Sequence, residues 1–145
     1  MRIFKHVLAA TDFSEASAGA VELAASVARD SGAALTLLHV CEVPLHVEVV
    51  PPVDMVTPAV AVAEGRLAAL AGTLADRCPD AATVIRLGAP WEQLLACAAE
   101  TGADLIVLGT HGRRGVAHAV LGSVAERVVQ FAPVPVLTVR SPASG

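Results

Sequence analysis

Short runs of consecutive apolar residues alternate along this chain with longer stretches in which apolar residues recur every three or four positions. The first run, His6-Val7-Leu8-Ala9-Ala10, ends at Thr11-Asp12 and predicts a buried strand. From Ser14 the period becomes helical, with Ala20, Leu23, Ala24 and Val27 on one face. Ser14 can cap this helix, Glu15 complements its dipole, and Ser31-Gly32 stops it. Ala33 to Val40, with Leu35, Leu37, Leu38 and Val40, predicts a second strand. Glu42 to Val56 breaks the pattern with Pro44, Pro51 and Pro52 and reads as a surface loop, long enough to suggest a mobile segment or a cover over a site. Thr57-Pro58 predicts an N-cap followed by proline at the first helical position. Leu67, Leu70, Ala71 and Leu74 form the face of that helix, and Cys78-Pro79 ends it. Thr83 to Leu87 predicts a third strand, and Gly88-Ala89-Pro90 leads into a helix with Trp91, Leu94, Leu95 and Ala98 inward, closed by Thr101-Gly102. Asp104 to Leu108 predicts a fourth strand, followed by a glycine-rich stretch from Gly109 to Gly122. The last helix turns Leu121, Val124, Ala125 and Val128 inward and stops at Phe131-Ala132-Pro133. Val134 to Val139 is the last strand, where Pro135 argues for an edge position or a strand start.

Strict β-α alternation predicts an α/β fold: a doubly wound, five-stranded parallel sheet with helices on both faces. With 145 residues, 1–145 is expected to be a single domain. Ligands of such sheets bind beyond the carboxyl ends of the strands where strand order reverses, so the loops after Ala10, Val40, Leu87 and Leu108 are the places to look.

Composition narrows the possible partners. Apolar residues at 54% against 17% charged exclude a disordered chain. Aromatics at 3% argue against a stacking platform for single-stranded nucleic acid, and a net charge of −4 argues against a duplex-binding surface. The mean hydropathy of +0.63 demands a search for membrane spans. The charge-free apolar stretches stop well short of ~20 residues, so none is expected. The N-terminus runs straight into the first strand without a signal core or cleavage site, which reads as cytoplasmic. Three widely spaced cysteines, Cys41, Cys78 and Cys97, without a CxxC, read as small buried hydrophobes in a reducing compartment.

Chemistry concentrates between the fourth strand and the last helix. In Gly109-Thr110-His111-Gly112-Arg113-Arg114-Gly115 and on to Gly122-Ser123, glycines would let backbone amides face a phosphate, and the helix N-terminus would add partial positive charge. Tight turns alone would also explain Gly109 and Gly122. Arg113 and Arg114 would either aid phosphate binding or form a solvated pair. There is no GxxxxGK[ST], and no GxGxxG after the first strand. A receiver domain is excluded because the third strand ends in Leu87-Gly88 and the fifth in Val139-Arg140, where an Asp and a Lys would be needed. His111 and His118 lack a nearby Cys or carboxylate for zinc, and no positioned nucleophile and base are visible.

Gly109-x2-Gly112-x9-Gly122-Ser123 matches the G-x2-G-x9-G-[S/T] nucleotide motif of the universal stress protein family. Val7 to Ser14, Leu37-Leu38-His39-Val40, Ala103 to Gly109 and Pro133 to Leu137 also resemble that family's segments, so the resemblance spans nearly the whole chain outside Val43 to Val56. It implies a Rossmann-like or flavodoxin-like domain, usually a homodimer, and membership of the branch that binds ATP rather than the branch without the glycine motif. Carried over by position, the implied nucleotide site comprises Ala10, Thr11 and Asp12, Val40 with its main chain on adenine, Gly109, Thr110, His111, Gly112 and Arg113, and Gly122, Ser123 and Val124. Asp12 suits ribose hydroxyls or a phosphate-bound Mg²⁺, or else local amides ahead of the helix. The expectation is an ATP-binding regulatory or sensing module, with Mg²⁺, that is not an enzyme and hydrolyses ATP slowly at most, since no general base or arginine finger is evident. The alternatives are an interaction protein binding AMP, cyclic AMP or no nucleotide, and a metal-dependent nucleotide hydrolase. The uncharged last strand would be an exposed edge, and pairing with a second copy through it would cover it.

Overall fold

The structure, a computed structural model, describes residues 3–42, 54, 56–110 and 121–140. The elements are β1 (His6–Ala10), α1 (Glu15–Ser31), β2 (Ala34–Cys41), α2 (Val56–Thr73), β3 (Ala82–Leu87), α3 (Pro90–Thr101), β4 (Leu105–Gly109), α4 (Ser123–Phe131) and β5 (Val136–Val139). The strands form a five-stranded sheet in the order β3-β2-β1-β4-β5, with every neighbouring pair parallel. This is the Rossmann-like order, with the chain reversing direction across the sheet between β1 and β4, and not the flavodoxin order.

The period-two alternation of the central strands feeds two separate cores. Val7 and Ala9 of β1, Leu35 and Leu37 of β2, and Leu105 and Val107 of β4 face α1 and α2. Leu8, Leu38, Ile106 and Leu108 face α3 and α4, where they meet Leu94, Cys97, Ala125 and Val128. Val7, Leu8 and Ala9 are all 0% exposed, so β1 is sealed on both faces. No described helix is long and apolar enough to cross a membrane. Burial raises the thiol pKa values of Cys41, Cys78 and Cys97, and none is in a disulfide.

Beyond one-residue shifts at the ends of β2, β3 and β4, four element details differ from the sequence reading. The inward face of α1 is Ala20, Val21, Ala24, Ala25 and Ala28, while Leu23 is exposed. Alanines let the helix settle close to the sheet, and that contact outweighs burying one leucine. Helix α2 starts at Val56 instead of after Thr57, because Asp54 Oδ1 accepts from the amides of Val56 (3.0 Å) and Thr57 (3.1 Å). It ends at Thr73 rather than Cys78, where bonds such as Leu74 N–H to Ala71 O tighten the chain into turns after Gly72. Strand β5 starts at Val136: Pro135 has no amide to donate, but its carbonyl accepts from Ile106 N at 3.0 Å. Its outer position agrees with the edge expected from Pro135. Residues 43–53 and 55 of the expected Glu42–Val56 loop lie outside the described residues.

The amino end of the sheet is closed by one device used twice. Gly32 and Gly102 stop α1 and α3 in the left-handed region (φ 66° and 72°). The next amide turns back to the last helical turn each time, Ala33 N–H to Ala28 O and Ala103 N–H to Ala98 O. Ala34 and Asp104 then enter on either side of β1, donating to Lys5 O and His6 O. Asp104 adds a carboxylate that accepts from Lys5 N (2.9 Å) and His6 N (3.0 Å). These backbone bonds, His6 first, hold its pKa below the ordinary carboxylate range.

Because the folded pKa is lowered, the contribution of Asp104 is present above the unfolded value of about 3.9 and is lost as pH falls through the folded value. Asp104→Asn is expected to cost about 1 kcal/mol at neutral pH, less than a buried charged hydrogen bond because the carboxylate also meets solvent. In urea titrations the gap to the parent should close below pH 4. A gap independent of pH would show that the charge is not what holds β1 to β4.

Candidate functional site

The carboxyl ends of β1 and β4 lie side by side, with Ala9 paired to Val107 and the two chains leaving the sheet just beyond. This is where strand order reverses. Thr11 and Thr110, the residues immediately following these two strands, are both buried although polar, at 7% and 6% exposure.

Thr11 is held on every side. Its amide donates to Leu38 O at 2.9 Å, and its carbonyl accepts from His39 Nδ1 at 2.8 Å. A carbonyl only accepts, so Nδ1 of His39 carries the proton. The Thr11 hydroxyl oxygen accepts from Phe13 N at 3.0 Å and lies 3.0 Å from Ser17 Oγ. Asp12 Oδ1 accepts from Ser14 N at 3.0 Å and from the Ser14 hydroxyl. Ser14 caps α1, accepting from Ser17 N. The local-amide role expected as one alternative for Asp12 is therefore present. Phe13 sits between them at φ 65°, a conformation that a bulky L-residue adopts only under constraint. Its ring lies 4.4 Å from the His39 ring, and the Arg66 guanidinium of α2 lies over it at 4.3 Å.

On the β4 side, Gly109 is the last strand residue and Thr110 N–H donates to Val139 O at 3.0 Å. Gly122 N–H returns to Thr110 O at 2.6 Å, so one bond closes the loop that leaves β4 and re-enters at α4. Gly122 is the N-cap of α4 and has no side chain with which to close the first turn, unlike Ser14 on α1. Ser123 opens the helix and is exposed, and Val124 packs against the α3/α4 core. A helix start of this kind presents amides and partial positive charge to an anion.

Val40 stands on β2, next to the end of β1. The Leu38 carbonyl bonds to β1, so by the two-residue period the main-chain groups of Val40 point the same way, past the point where β1 ends. Ala10, Thr11, Asp12, Val40, Gly109, Thr110, Gly122, Ser123 and Val124 thus converge on one edge. His111, Gly112 and Arg113 lie outside the described residues. Phe13, His39 and Arg66 were not anticipated. A left-handed phenylalanine has no signature in sequence, and the alternation of β2 marks His39 only as a residue opposite in facing to Leu38 and Val40. An open cavity of about 350 Å³ between α1 and α2 is lined by Thr11, Phe13, Ser14 and Arg66, among others. It adjoins the β1–α1 turn from the helix side and does not include the β4–α4 residues.

The family model of the universal stress protein family matches residues 3–140. Universal stress protein YxiE of Bacillus subtilis is 31% identical over 153 aligned residues, covering 95% of this chain and 100% of that protein. The structure of universal stress protein UspA from Lactobacillus plantarum superposes with a TM-score of 0.84 at 28% identity, covering 94% of this chain and 97% of that one. A universal stress protein solved in complex with cAMP superposes with a TM-score of 0.74 at 27% identity, covering 96% of this chain and 98% of that one. With the family matched over nearly its whole length and the Rossmann-like sheet in common, the chain belongs to the universal stress protein family.

Proposed function

We propose that this protein is a cytoplasmic, nucleotide-dependent regulatory module of the stress response that binds ATP at the carboxyl edge between β1 and β4. The observation that carries this reading is the Gly109-x2-Gly112-x9-Gly122-Ser123 spacing, set between the end of β4 and the glycine-capped start of α4. Backbone amides there would let a chain of net charge −4 hold an anion without a basic patch. Val40 would offer its main chain to adenine, and Gly109, Gly112, Gly122 and Ser123 would take phosphates and ribose. The similar universal stress protein solved in complex with cAMP supports an adenine nucleotide as the ligand. It also favours a second reading, in which cyclic AMP or AMP is the resident ligand and the protein acts through partner contacts. Nucleotide released by denaturing the purified protein separates the two readings.

Among the described residues no group of three or more His, Cys, Asp or Glu could hold a metal ion by itself. Mg²⁺ commonly takes one or two carboxylates together with substrate phosphates. Asp12 would supply the carboxylate, and the cation would offset the repulsion between it and the phosphates. In this reading the nucleotide is sensed rather than turned over at an enzymatic rate. Phosphate release far above background would favour the hydrolase alternative.

A valine at position 112 would put a β-branched side chain where backbone must approach phosphate. Gly112→Val is expected to weaken ATP binding at least tenfold, about 1.4 kcal/mol, with the circular dichroism spectrum unchanged. Equal affinity in the folded variant would remove the glycine loop from the site. Asp12→Ala should lower ATP affinity more with Mg²⁺ present than with chelator in calorimetric titration. A fall in melting temperature with no change in affinity would leave Asp12 as a turn residue only.

The homodimer is proposed through β5, an edge strand whose Leu137 is 37% exposed. Val136 packs into the α3/α4 core, so Leu137 is the better probe of the edge. Leu137→Lys should place like charges across a two-fold axis and move the protein toward monomer in sedimentation velocity. A parent protein that sediments as a monomer at tens of micromolar would rule out the dimer.

A further inference from the structure

If β1 and β2 continued as a regular parallel ladder, Thr11 O would accept from the amide of Val40, just as Leu38 O accepts from Thr11 N. That position is filled by the imidazole of His39, whose Nδ1–H donates to Thr11 O at 2.8 Å. The carbonyl of Thr11 belongs to the peptide that joins Thr11 to Asp12. Fixing that peptide plane sets the point from which the Asp12 side chain departs. It also turns β1 away from β2, and the next residue but one, Phe13, takes φ 65° with its ring 4.4 Å from the His39 ring. His39 thus makes two contacts that act on the same turn: a hydrogen bond that ends the ladder and a ring contact behind the strained residue.

Resting on the nucleotide reading above, we infer that His39 is a positioning residue for the nucleotide site: its Nδ1–H replaces the ladder donor at Thr11 O, holds Asp12 at the sheet edge and leaves the main chain of Val40 facing the crevice. Its chemistry suits the task. A side-chain donor reaches Thr11 O without drawing the Val40 backbone into the ladder. The ring supplies an apolar face to Phe13 that a serine or threonine donor would lack.

Two substitutions separate the donor from the ring. His39→Phe keeps an aromatic ring against Phe13 and removes the donor. His39→Asn keeps a donor at the position of Nδ1 and removes the ring. Mg-ATP affinity is measured by calorimetry in the parent, in both variants, and in each combined with Asp12→Ala. Binding by the parent, an approximately tenfold loss in His39→Phe, and recovery to within about threefold in His39→Asn are expected. In the Asp12→Ala background the His39→Phe effect should shrink to less than about threefold, because a residue that acts through Asp12 is non-additive with it. Nitrogen-15 spectra of the parent imidazole should show the neutral ring protonated at Nδ1, and Asp12→Ala should leave that tautomer in place. A parent that binds ATP beside an unimpaired His39→Phe would overturn the role of His39 alone. So would a full additive loss in the Asp12→Ala background, or a ring protonated only at Nε2. A parent that binds no nucleotide would overturn the functional reading and this role together. Should His39→Phe fail to fold, His39→Leu serves as the donor-free variant under the same criteria.

Discussion

Strand β1 runs between two helical layers with Val7, Leu8 and Ala9 wholly inside, so its backbone can meet solvent only at its ends. Both ends are fixed by neighbours rather than by β1 itself. At the amino end, Ala34 and Asp104 bond to the carbonyls of Lys5 and His6 as their strands enter. At the carboxyl end, β2 holds Thr11 through the Leu38 carbonyl and the His39 ring. The sheet order then makes the carboxyl end the place where β1 and β4 part, because α1 and α2 cover one face and α3 and α4 the other. Sheets of this order commonly open a crevice at this edge. What it can hold depends on the few residues that close each turn.

Those turns are built differently on the two sides. The β1–α1 turn satisfies its own polar groups with side chains: Asp12 and Ser14 take up amides at the start of α1, and Ser17 bonds back to Ser14 O. The β4–α4 turn has glycine at the cap and uses a backbone bond, Gly122 N–H to Thr110 O, to bring its two ends together. One side is closed upon itself, while the other leaves its helix start without a side-chain cap. The amides and helix dipole of α4 supply local positive potential at that start.

The order and type of the elements were legible because each strand is a short apolar run and each helix has a separate apolar period. Glycine at 32 and 102 and proline at 90 and 135 marked boundaries through backbone chemistry that the structure uses. The rotation of α1 was not legible: in a helix containing Ala20, Ala24, Ala25 and Ala28, small residues populate several faces, and close approach to the sheet selects among them. Nor was Asp54 as the start of α2, since Thr57-Pro58 is an equally good local signal and only the fold chooses. Strand ends and glycine spacing pointed to the carboxyl edge where β1 and β4 part. The parts that depend on nonlocal contact, His39 reaching Thr11 across 28 positions and Phe13 held at positive φ, have no local signature.

The two ends of the sheet differ in how regular they are. At the amino end, the same glycine stop and backward amide bond recur at Gly32-Ala33 and Gly102-Ala103. The second adds the Asp104 carboxylate, placing a charge where three chain segments meet. These contacts knit neighbouring strands. At the carboxyl end, the ladder between β1 and β2 is interrupted by a side chain, a phenylalanine is held at positive φ, and a helix begins at glycine. Each of these is less favourable locally than the regular alternative of a continued ladder, a relaxed turn or a side-chain cap. All three lie at the edge where β1 and β4 part. The amino-end clamp makes that arrangement tolerable, because it secures the central strand without drawing on any group at the site.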